Sequence, residues 1–190
     1  METGDEAAVS IRAIADAVGV SPPSIYLHFA DKDELIHAVC QQQFRRLDVL
    51  VDQTLGDVAD PIERLRRRGQ AYVRFGVDHP EHYRIMLMGK SHFSAEDYER
   101  GVLPGMPSFM ALVQNVQDCM DSGAFARDDP LVVATVLWAA VHGMTSLRIA
   151  VPGFPVFREA DAIVDRLIDV LTRGLAPDPP ARRRKRASRR

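Results

Sequence analysis

The sequence predicts an all-α protein made of a small N-terminal unit and a larger second unit. Apolar residues recur at helical spacing along nearly the whole chain, and no β-hairpin pattern interrupts them. Proline repeatedly stands at the first position of a predicted helix, and glycine repeatedly follows the last. With 190 residues, of which 46% are apolar and 26% charged, the chain is long enough to bury a substantial core.

Most predicted helices begin at a capping residue or a proline, and several end at or just before a glycine. The predicted starts are Ser10, Ser21-Pro22, Asp31-Lys32-Asp33-Glu34, Asp60-Pro61-Ile62-Glu63, Pro80, Met106, Asp129-Pro130 and Glu159. The predicted ends are Gly19, Phe29, Leu55, Asp78, Met88, Ser122, Ala150 and Arg173, with Gly123 and Gly174 as terminators. A loop is expected between Lys90 and Gly105, and disorder after Pro177.

The net charge of −2 conceals a strongly basic C-terminus. Arg182 to Arg190 contain seven basic and no acidic residues, which leaves 17 basic and 26 acidic residues in the rest of the chain. A basic segment on an acidic body is typical of attraction to nucleic acid or to an anionic surface, and equally of a solvated disordered tail. Both interpretations stay open.

Cysteine usage and hydropathy argue for a cytoplasmic protein. Two cysteines separated by 79 positions exclude a disulfide scaffold, and the acidic start Met1 to Ala7 is not a signal peptide. Pro130 to Leu147 carry no charge over 18 positions, which is long enough to span a membrane. Because polar residues interrupt this run, we interpret it as a helix buried on all sides in the protein and expect no membrane partner.

No arrangement of residues predicts catalysis, and we expect neither an enzyme nor a cofactor. His79 and His82 flank a helix start without an evident third ligand, so no metal site is predicted. The glycines between Gly101 and Gly105 lack the lysine of a phosphate-binding loop.

Residues 10 to 35 contain the pattern most indicative of function. A helix of about nine residues, a turn containing glycine and a short second helix form the helix-turn-helix plan. In that plan the second helix presents its N-terminal end to the major groove of DNA.

This run resembles the TetR family of bacterial repressors. The matching residues are Gly19-Val20-Ser21, Ser24-Ile25-Tyr26, His28-Phe29, Lys32 and Leu35. The resemblance implies DNA contacts from both helices. Implied phosphate contacts are Ser10, Tyr26, His28 and Lys32. Implied base-edge contacts are Ser21, Pro22, Ser24 and Leu27, and Arg12 is a further candidate for DNA binding.

Two departures from the family pattern qualify this prediction. The recognition helix has no Arg, Lys, Asn or Gln, so we expect modest direct readout assisted by DNA shape. The family also has a full helix before the motif, whereas nine residues precede Ser10, and the first helix of the DNA-binding domain is expected to be missing. The first 47 residues are acidic overall, with four basic and seven acidic side chains.

A second resemblance covers the larger unit. Asp78 to Met86 and Trp138-Ala139-Ala140-Val141-His142-Gly143 are similar to a C-terminal subtype of the same family marked by Trp-x-x-x-His-Gly. The implied organisation is a DNA-binding domain at 1–50, a ligand-binding and dimerisation domain at 51–176 and a disordered basic tail at 177–190.

Two faces of the long apolar helix are predicted to be covered. One contains Leu131, Thr135, Trp138, His142 and Thr145, and the other contains Val133, Leu137, Ala140, Met144 and Leu147. One cover is the helix's own domain. The other is predicted to be the same helix of a second subunit, with Ile163, Leu167, Val170 and Leu171 of the final helix alongside.

Aromatic and methionine residues of this unit are candidates for a ligand pocket or, equally, for an ordinary core. They are Tyr72, Phe75, Tyr83, Met86, Met106, Phe109, Met110, Val113, Trp138 and His142. Methionine-rich walls adapt to varied apolar ligands.

The function expected from these observations is a ligand-responsive repressor that binds a palindromic operator as a homodimer. Its partners would be double-stranded DNA and an unidentified small apolar effector. Two alternatives remain: a dimeric small-molecule-binding module that does not bind DNA, and a non-specific DNA binder that depends on the basic tail.

Overall fold

The computed structural model describes residues 10–88 and 103–177. Within these residues the chain forms eight α-helices and no β-strand, which confirms the all-α prediction. The helices are α1 (Ile11–Val18), α2 (Pro22–Tyr26), α3 (Lys32–Leu55), α4 (Pro61–Asp78), α5 (Pro80–Leu87), α6 (Met106–Asp121), α7 (Pro130–Ala150) and α8 (Ala160–Leu175). A 3₁₀ segment, Pro155–Glu159, precedes α8.

The first two helices form a compact hairpin because their caps and their apolar faces agree. Ser10 caps α1 by accepting a hydrogen bond from the amide of Ala13 at 3.2 Å. Gly19 ends α1 with φ of 75°, a left-handed conformation that glycine adopts without steric cost. A small cluster then packs around the crossing, and it consists of Ile11, Ala15 and Ile25 with Ile14, Phe29 and Leu35 against them.

Helix α3 connects this hairpin to the rest of the protein without a break. Asp31 caps it by accepting a hydrogen bond from the amide of Glu34 at 2.8 Å, and acidic residues occupy its first turn. Its 24 residues give a length of about 36 Å. The domain boundary predicted at residue 50 lies inside α3, so the two predicted units share one helix.

Helix α4 is the centre of the larger unit, and α3, α5, α6, α7 and α8 all pack against it. One cluster joins α4 to α6 and α7 and includes Leu65, Val116 and Leu137. Another joins α4 to α3 and α5 and includes Leu47, Phe75 and Met86. Each apolar face of α4 is therefore covered by a different neighbour.

Helices α4 and α7 approach closely at Gly76. A Cβ placed on Gly76 would lie 2.3 Å from Cγ2 of Thr145 and 2.8 Å from the ring of Tyr83. Since real Cβ atoms do not approach so closely, only glycine fits between these two side chains. The buried Thr145 donates its hydroxyl to the carbonyl of Val141, so no polar atom is stranded at this contact.

Three details of the sequence prediction are wrong. Helix α2 ends at Tyr26 rather than near Phe29. Ser21 precedes α2, but its side chain makes no capping bond and instead contacts the hydroxyl of Ser24. Gly174 does not stop α8, because the helix continues to Leu175, whose carbonyl accepts a hydrogen bond from the amide of Ala126 at 2.8 Å.

The sequence predicts that the long apolar helix α7 is buried on all sides. Within one chain this prediction is wrong, because Val132, Val136 and Leu147 are more than half exposed. By length and composition α7 is the one described helix that resembles a membrane span, a test that core helices of soluble proteins also pass. The predictions about the missing first helix and the basic tail lie outside the described residues, apart from Pro177.

Candidate DNA-binding surface and ligand cavity

The predicted DNA contacts lie in the helix-turn-helix hairpin and at the start of α3. Six are exposed, namely Ser10, Arg12, Ser21, Tyr26, Leu27 and His28, and three are partly buried, namely Pro22, Ser24 and Lys32. Leu27 is 82% exposed and Tyr26 is 56% exposed. Large apolar groups so open to water contribute little to the fold, and they mark a surface suited to contact with a partner.

At the N-terminal end of the recognition helix, two hydroxyl groups form a hydrogen bond with each other. The Oγ atoms of Ser21 and Ser24 are 2.8 Å apart, and either can be the donor. One hydroxyl hydrogen and several lone pairs therefore remain available at the start of α2. Such groups can donate to phosphates and can accept from or donate to base edges.

A cavity of about 480 Å³ lies in the larger unit, which is within the size range of small-molecule sites. Helix α3 forms one wall with Ile36, Cys40, Phe44, Leu47, Asp48 and Val51. Helices α4 to α8 complete it, and Met86, Met106 and Phe109 are among their contributions. The wall is therefore largely apolar, and residues from α3 to α8 contribute to it.

Only two of the described residues that line the cavity are charged, Asp48 and Arg68. Asp48 accepts a hydrogen bond from the hydroxyl of Ser108. Arg68 has a buried Nε without a hydrogen-bond partner, and no described carboxylate forms an ion pair with it. Burial, and then the positive charge of Arg64, lower the pKa of Arg68, although the carboxylates of Asp52 and Asp48 oppose this.

A chain of hydrogen bonds runs from the cavity wall into the protein. Nε1 of Trp138 donates to the hydroxyl of Tyr72 at 3.1 Å, and that hydroxyl lies 3.0 Å from the hydroxyl of Tyr83. The Tyr83 hydroxyl lies 2.6 Å from Nδ1 of His142. Burial raises the pKa of Tyr72 and of Tyr83, and burial lowers the pKa of His142. Both phenols therefore keep their protons, and the chain fits a neutral imidazole that accepts at Nδ1.

Both parts of the chain match known protein families. Residues 5–39 match the model of bacterial regulatory proteins of the tetR family. Residues 65–171, more than half of the chain, match the tetracycline repressor-like C-terminal domain. The chain belongs to the TetR family. It is a ligand-responsive, DNA-binding transcriptional regulator, and members of this family are cytoplasmic regulators that dimerise and bind operators.

Individual relatives agree with this assignment. A probable acrEF/envCD operon repressor of Escherichia coli K12 is 25% identical over 166 residues, covering 84% of this chain and 76% of the relative. The transcriptional activator FasR of Mycolicibacterium smegmatis is 37% identical over 80 residues, covering 42% of this chain and 36% of that protein. The crystal structure of the TetR-family regulator PfmR from Thermus thermophilus has a TM-score of 0.69 at 23% identity, covering 90% of this chain and 91% of that one.

The cavity of this TetR-family protein brings together half of the predicted ligand-binding residues. Tyr72, Met86, Met106, Phe109 and Trp138 line it. Tyr83 and His142 lie behind the wall and reach it through the hydrogen-bond chain. Phe75 is buried against α3 instead, Val113 packs on the core cluster of α6, and Met110 is 48% exposed. These last three do not line the cavity.

Sequence reasoning missed the α3 wall and the cavity's polar groups. The signal for Arg68 was available, because it stands three positions after Leu65 and four before Tyr72, which places all three on one face of α4. Asp48 stands one position after the buried Leu47, and no comparable pattern distinguishes it.

The TetR-family protein exposes an apolar stripe along α7. The stripe contains Val132, Val136, Ala139 and Leu147, spaced so that they share one face of the helix. Leu147 belongs to the second of the two faces predicted from the sequence, whereas Val132, Val136 and Ala139 belong to neither. Within one chain, Val133, Leu137 and Thr145 are buried, whereas Leu131, Thr135 and Trp138 of the first predicted face are exposed.

Proposed function

We propose that this chain acts as a homodimeric repressor of a palindromic operator, and that a small apolar effector releases it from DNA. The observation that carries this proposal is the continuity of α3. Leu35 of α3 packs in the cluster of the DNA-binding hairpin, and the next residue, Ile36, lines the cavity. A ligand in the cavity thus touches the same helix turn that holds the recognition helix.

The DNA contacts proposed are the nine residues described above, of which eight belong to the hairpin and one, Lys32, begins α3. Polar groups of Ser10, Tyr26, His28 and Lys32 would fix the position on the phosphate backbone. Leu27 and Pro22 would meet apolar parts of the base edges, such as thymine methyl groups. Residues up to about 50 serve as the DNA-binding unit, and the remaining helices serve as the effector and dimer unit.

The proposed dimer forms through the apolar stripe of α7, with Val170 of α8 beside it. Val136 is 53% exposed, Leu147 is 55% exposed and Val170 is 56% exposed. Burying such a stripe against its own copy is favourable and generates a two-fold axis. That axis would place two recognition helices on a palindrome whose half-sites are separated by about one helical turn of DNA.

The effector acts only if it prefers the conformation that does not bind DNA. A ligand with equal affinity for both conformations shifts nothing, however tightly it binds. Because α3 is long, a small rotation of α3 at the cavity changes the separation of the two recognition helices at the DNA.

The proposal is tested by selecting DNA duplexes from a random pool with the purified chain. We expect enrichment of one palindrome and an affinity that falls with added salt. Leu27→Ala should weaken binding to that palindrome about tenfold, with an unchanged melting temperature. The matched control is Val49→Ala, since Val49 is 56% exposed on α3, outside the proposed surface.

Three results contradict the proposal or a part of it. Enrichment of no sequence, with all binding lost after deletion of Arg182 to Arg190, identifies a non-specific DNA binder. Absence of any DNA binding identifies a small-molecule-binding dimer instead. A Leu27→Ala variant with undiminished affinity would remove α2 from the interface.

A further inference from the structure

The cavity wall contains one polar group whose bonding is incomplete. Arg68 projects from α4 among apolar residues, and its buried Nε has no hydrogen-bond partner. The two arginines before it in sequence are satisfied differently, since Arg66 pairs with Asp169 of α8 and Arg67 pairs with Glu63. Arg68 as a whole is partly buried, but a guanidinium stays charged, so leaving its buried Nε–H without an acceptor is costly.

Asp48 does not supply the missing hydrogen-bond acceptor for Arg68. Its Oδ1 accepts from Ser108, and no ion pair joins Asp48 to Arg68 among the described contacts. Nε of Arg68 is therefore a buried donor without a partner, and an acceptor on a ligand would satisfy it. Asp48 keeps acceptor capacity at its second oxygen, but a ligand cation bound there would face the positive charge of Arg68.

We propose that the effector is an amphipathic carboxylic acid, whose apolar chain fills the cavity and whose carboxylate accepts hydrogen bonds from Arg68. This inference rests on the proposed ligand-binding role of the cavity. A guanidinium can hold a carboxylate through two parallel hydrogen bonds. The nearby negative charge of Asp48 favours a ligand with one negative charge over a phosphate with two.

The apolar part of the ligand is dictated by the rest of the wall. Apart from Asp48, Arg68 and a few hydroxyl or ring donors, the lining is aliphatic, aromatic or methionine. About 480 Å³ is enough for a medium-length alkyl chain or a small ring system. Met86 and Met106 allow the wall to adjust to the shape of that chain.

The inference is tested by displacement of Nile red, a neutral dye that fluoresces in apolar sites. Dodecanoic acid, dodecanol and dodecylamine are compared below their micelle concentrations, because their apolar chains are the same and only the head group differs. We expect the acid to displace the dye at a concentration at least about tenfold lower than the alcohol, since a charge-assisted hydrogen bond is worth more than a neutral one. We expect the amine to be the weakest of the three.

Variants locate the head group. Arg68→Gln should abolish the difference between acid and alcohol while Nile red still binds, which shows that the cavity is intact. Arg74→Gln is the matched control, because Arg74 is an exposed arginine of the same helix that pairs with Asp78. Asp48→Asn should strengthen binding of the acid and leave the alcohol unchanged, and this variant tests the inference even if Arg68→Gln does not fold.

The outcomes separate this inference from the proposed function. Equal displacement by acid and alcohol, or a preference for the amine, overturns the inference but leaves a cavity that binds apolar ligands. No binding of Nile red or of any of the three ligands overturns both. If the acid binds with the expected selectivity but leaves affinity for the selected palindrome unchanged, the inference holds and the proposed effector control of DNA binding fails.

Discussion

His142 shows how a single residue can be held in one chemical state by its surroundings. Its Nδ1 accepts from Tyr83, whose hydroxyl lies 2.6 Å away, and the indole of Trp138 starts the same chain through Tyr72. Protonation of Nδ1 would place a donor against a phenol that already donates. Burial adds to this effect and lowers the pKa of His142 below its ordinary value of 6.5.

The state of His142 makes stability depend on pH. In the window from about 6.5 down to the lowered pKa, the unfolded chain binds more protons than the folded chain, so the free energy of unfolding falls as pH falls. We expect His142→Asn, whose Oδ1 can replace Nδ1 as the acceptor, to lose less melting temperature than the parent between about pH 7.5 and about pH 5.5. Thermal denaturation at both pH values measures this.

The exposed His28 gives the matched control for that experiment. His28→Asn makes the same exchange at an exposed position outside the Trp138–Tyr72–Tyr83–His142 chain, so its melting temperatures at both pH values serve as the reference. An unchanged pH dependence in His142→Asn would mean that the imidazole is hydrated rather than held neutral.

At the scale of elements, the caps of each helix determine where it begins, and this is why the sequence predicts them well. Asp31, Asp60 and Asp129 each accept hydrogen bonds from the first turn that follows. Such signals are local and need no tertiary contact. The end of α8 is different: packing of Leu175 against the α4–α6–α7 core and its bond to Ala126 carry the helix past Gly174.

The residues that line the cavity could not be predicted in the same way, because the lining depends on which helix faces pack against one another in the folded chain. Tyr72 and Trp138 were recognisable because polar tips on apolar helices need partners. Arg68 stands beside Arg66 and Arg67 in one basic run, and only its spacing to Leu65 and Tyr72, not composition, distinguishes it from them.

Two glycines allow the turn between α1 and α2 to be tested as an element. Gly19 and Gly123 have φ of 75° and 77°, and a Cβ at either position would meet nothing within 4 Å. Alanine at each should cost about 1–2 kcal/mol of local stability through backbone conformation alone. We expect Gly19→Ala to reduce DNA affinity, because the hairpin has only a small core to hold the crossing of its helices.

Gly123→Ala has the same backbone cost at the α6–α7 turn, and its DNA affinity should equal that of the parent below its melting temperature. Fluorescence anisotropy on the selected palindrome compares the two variants. Equal DNA affinity in both would show that the crossing angle of the hairpin does not control binding.

At the scale of the whole molecule, α7 has more apolar surface than the other helices of one chain cover. It is apolar nearly all round, so its periodicity could not show which face stays outside. Packing against α4, α6 and α8 buries Val133 and Thr145. Val132, Val136 and Leu147 remain exposed to water. Only the packed structure distinguishes the outward face.

The stripe predicts the oligomeric state. Val136→Asp should shift the protein from dimer to monomer in sedimentation equilibrium, because the variant would bury two unpaired carboxylates across a two-fold axis. Operator affinity should fall with it, since each monomer then binds only a half-site. Val49→Asp, an equally exposed position on α3, should remain a dimer. A Val136→Asp variant that stays dimeric would place the interface elsewhere.

The exposed side chains of the recognition helix also have a thermodynamic consequence. Leu27 and Tyr26 present apolar surface to water, and α2 carries no formal charge. A contact with DNA that buries such groups should be accompanied by a negative change in heat capacity. Since few basic residues lie near it, few counterions are released from the phosphates. The affinity of this regulator for its operator should therefore respond more steeply to temperature, and less steeply to salt, than that of a repressor whose recognition helix is rich in arginine.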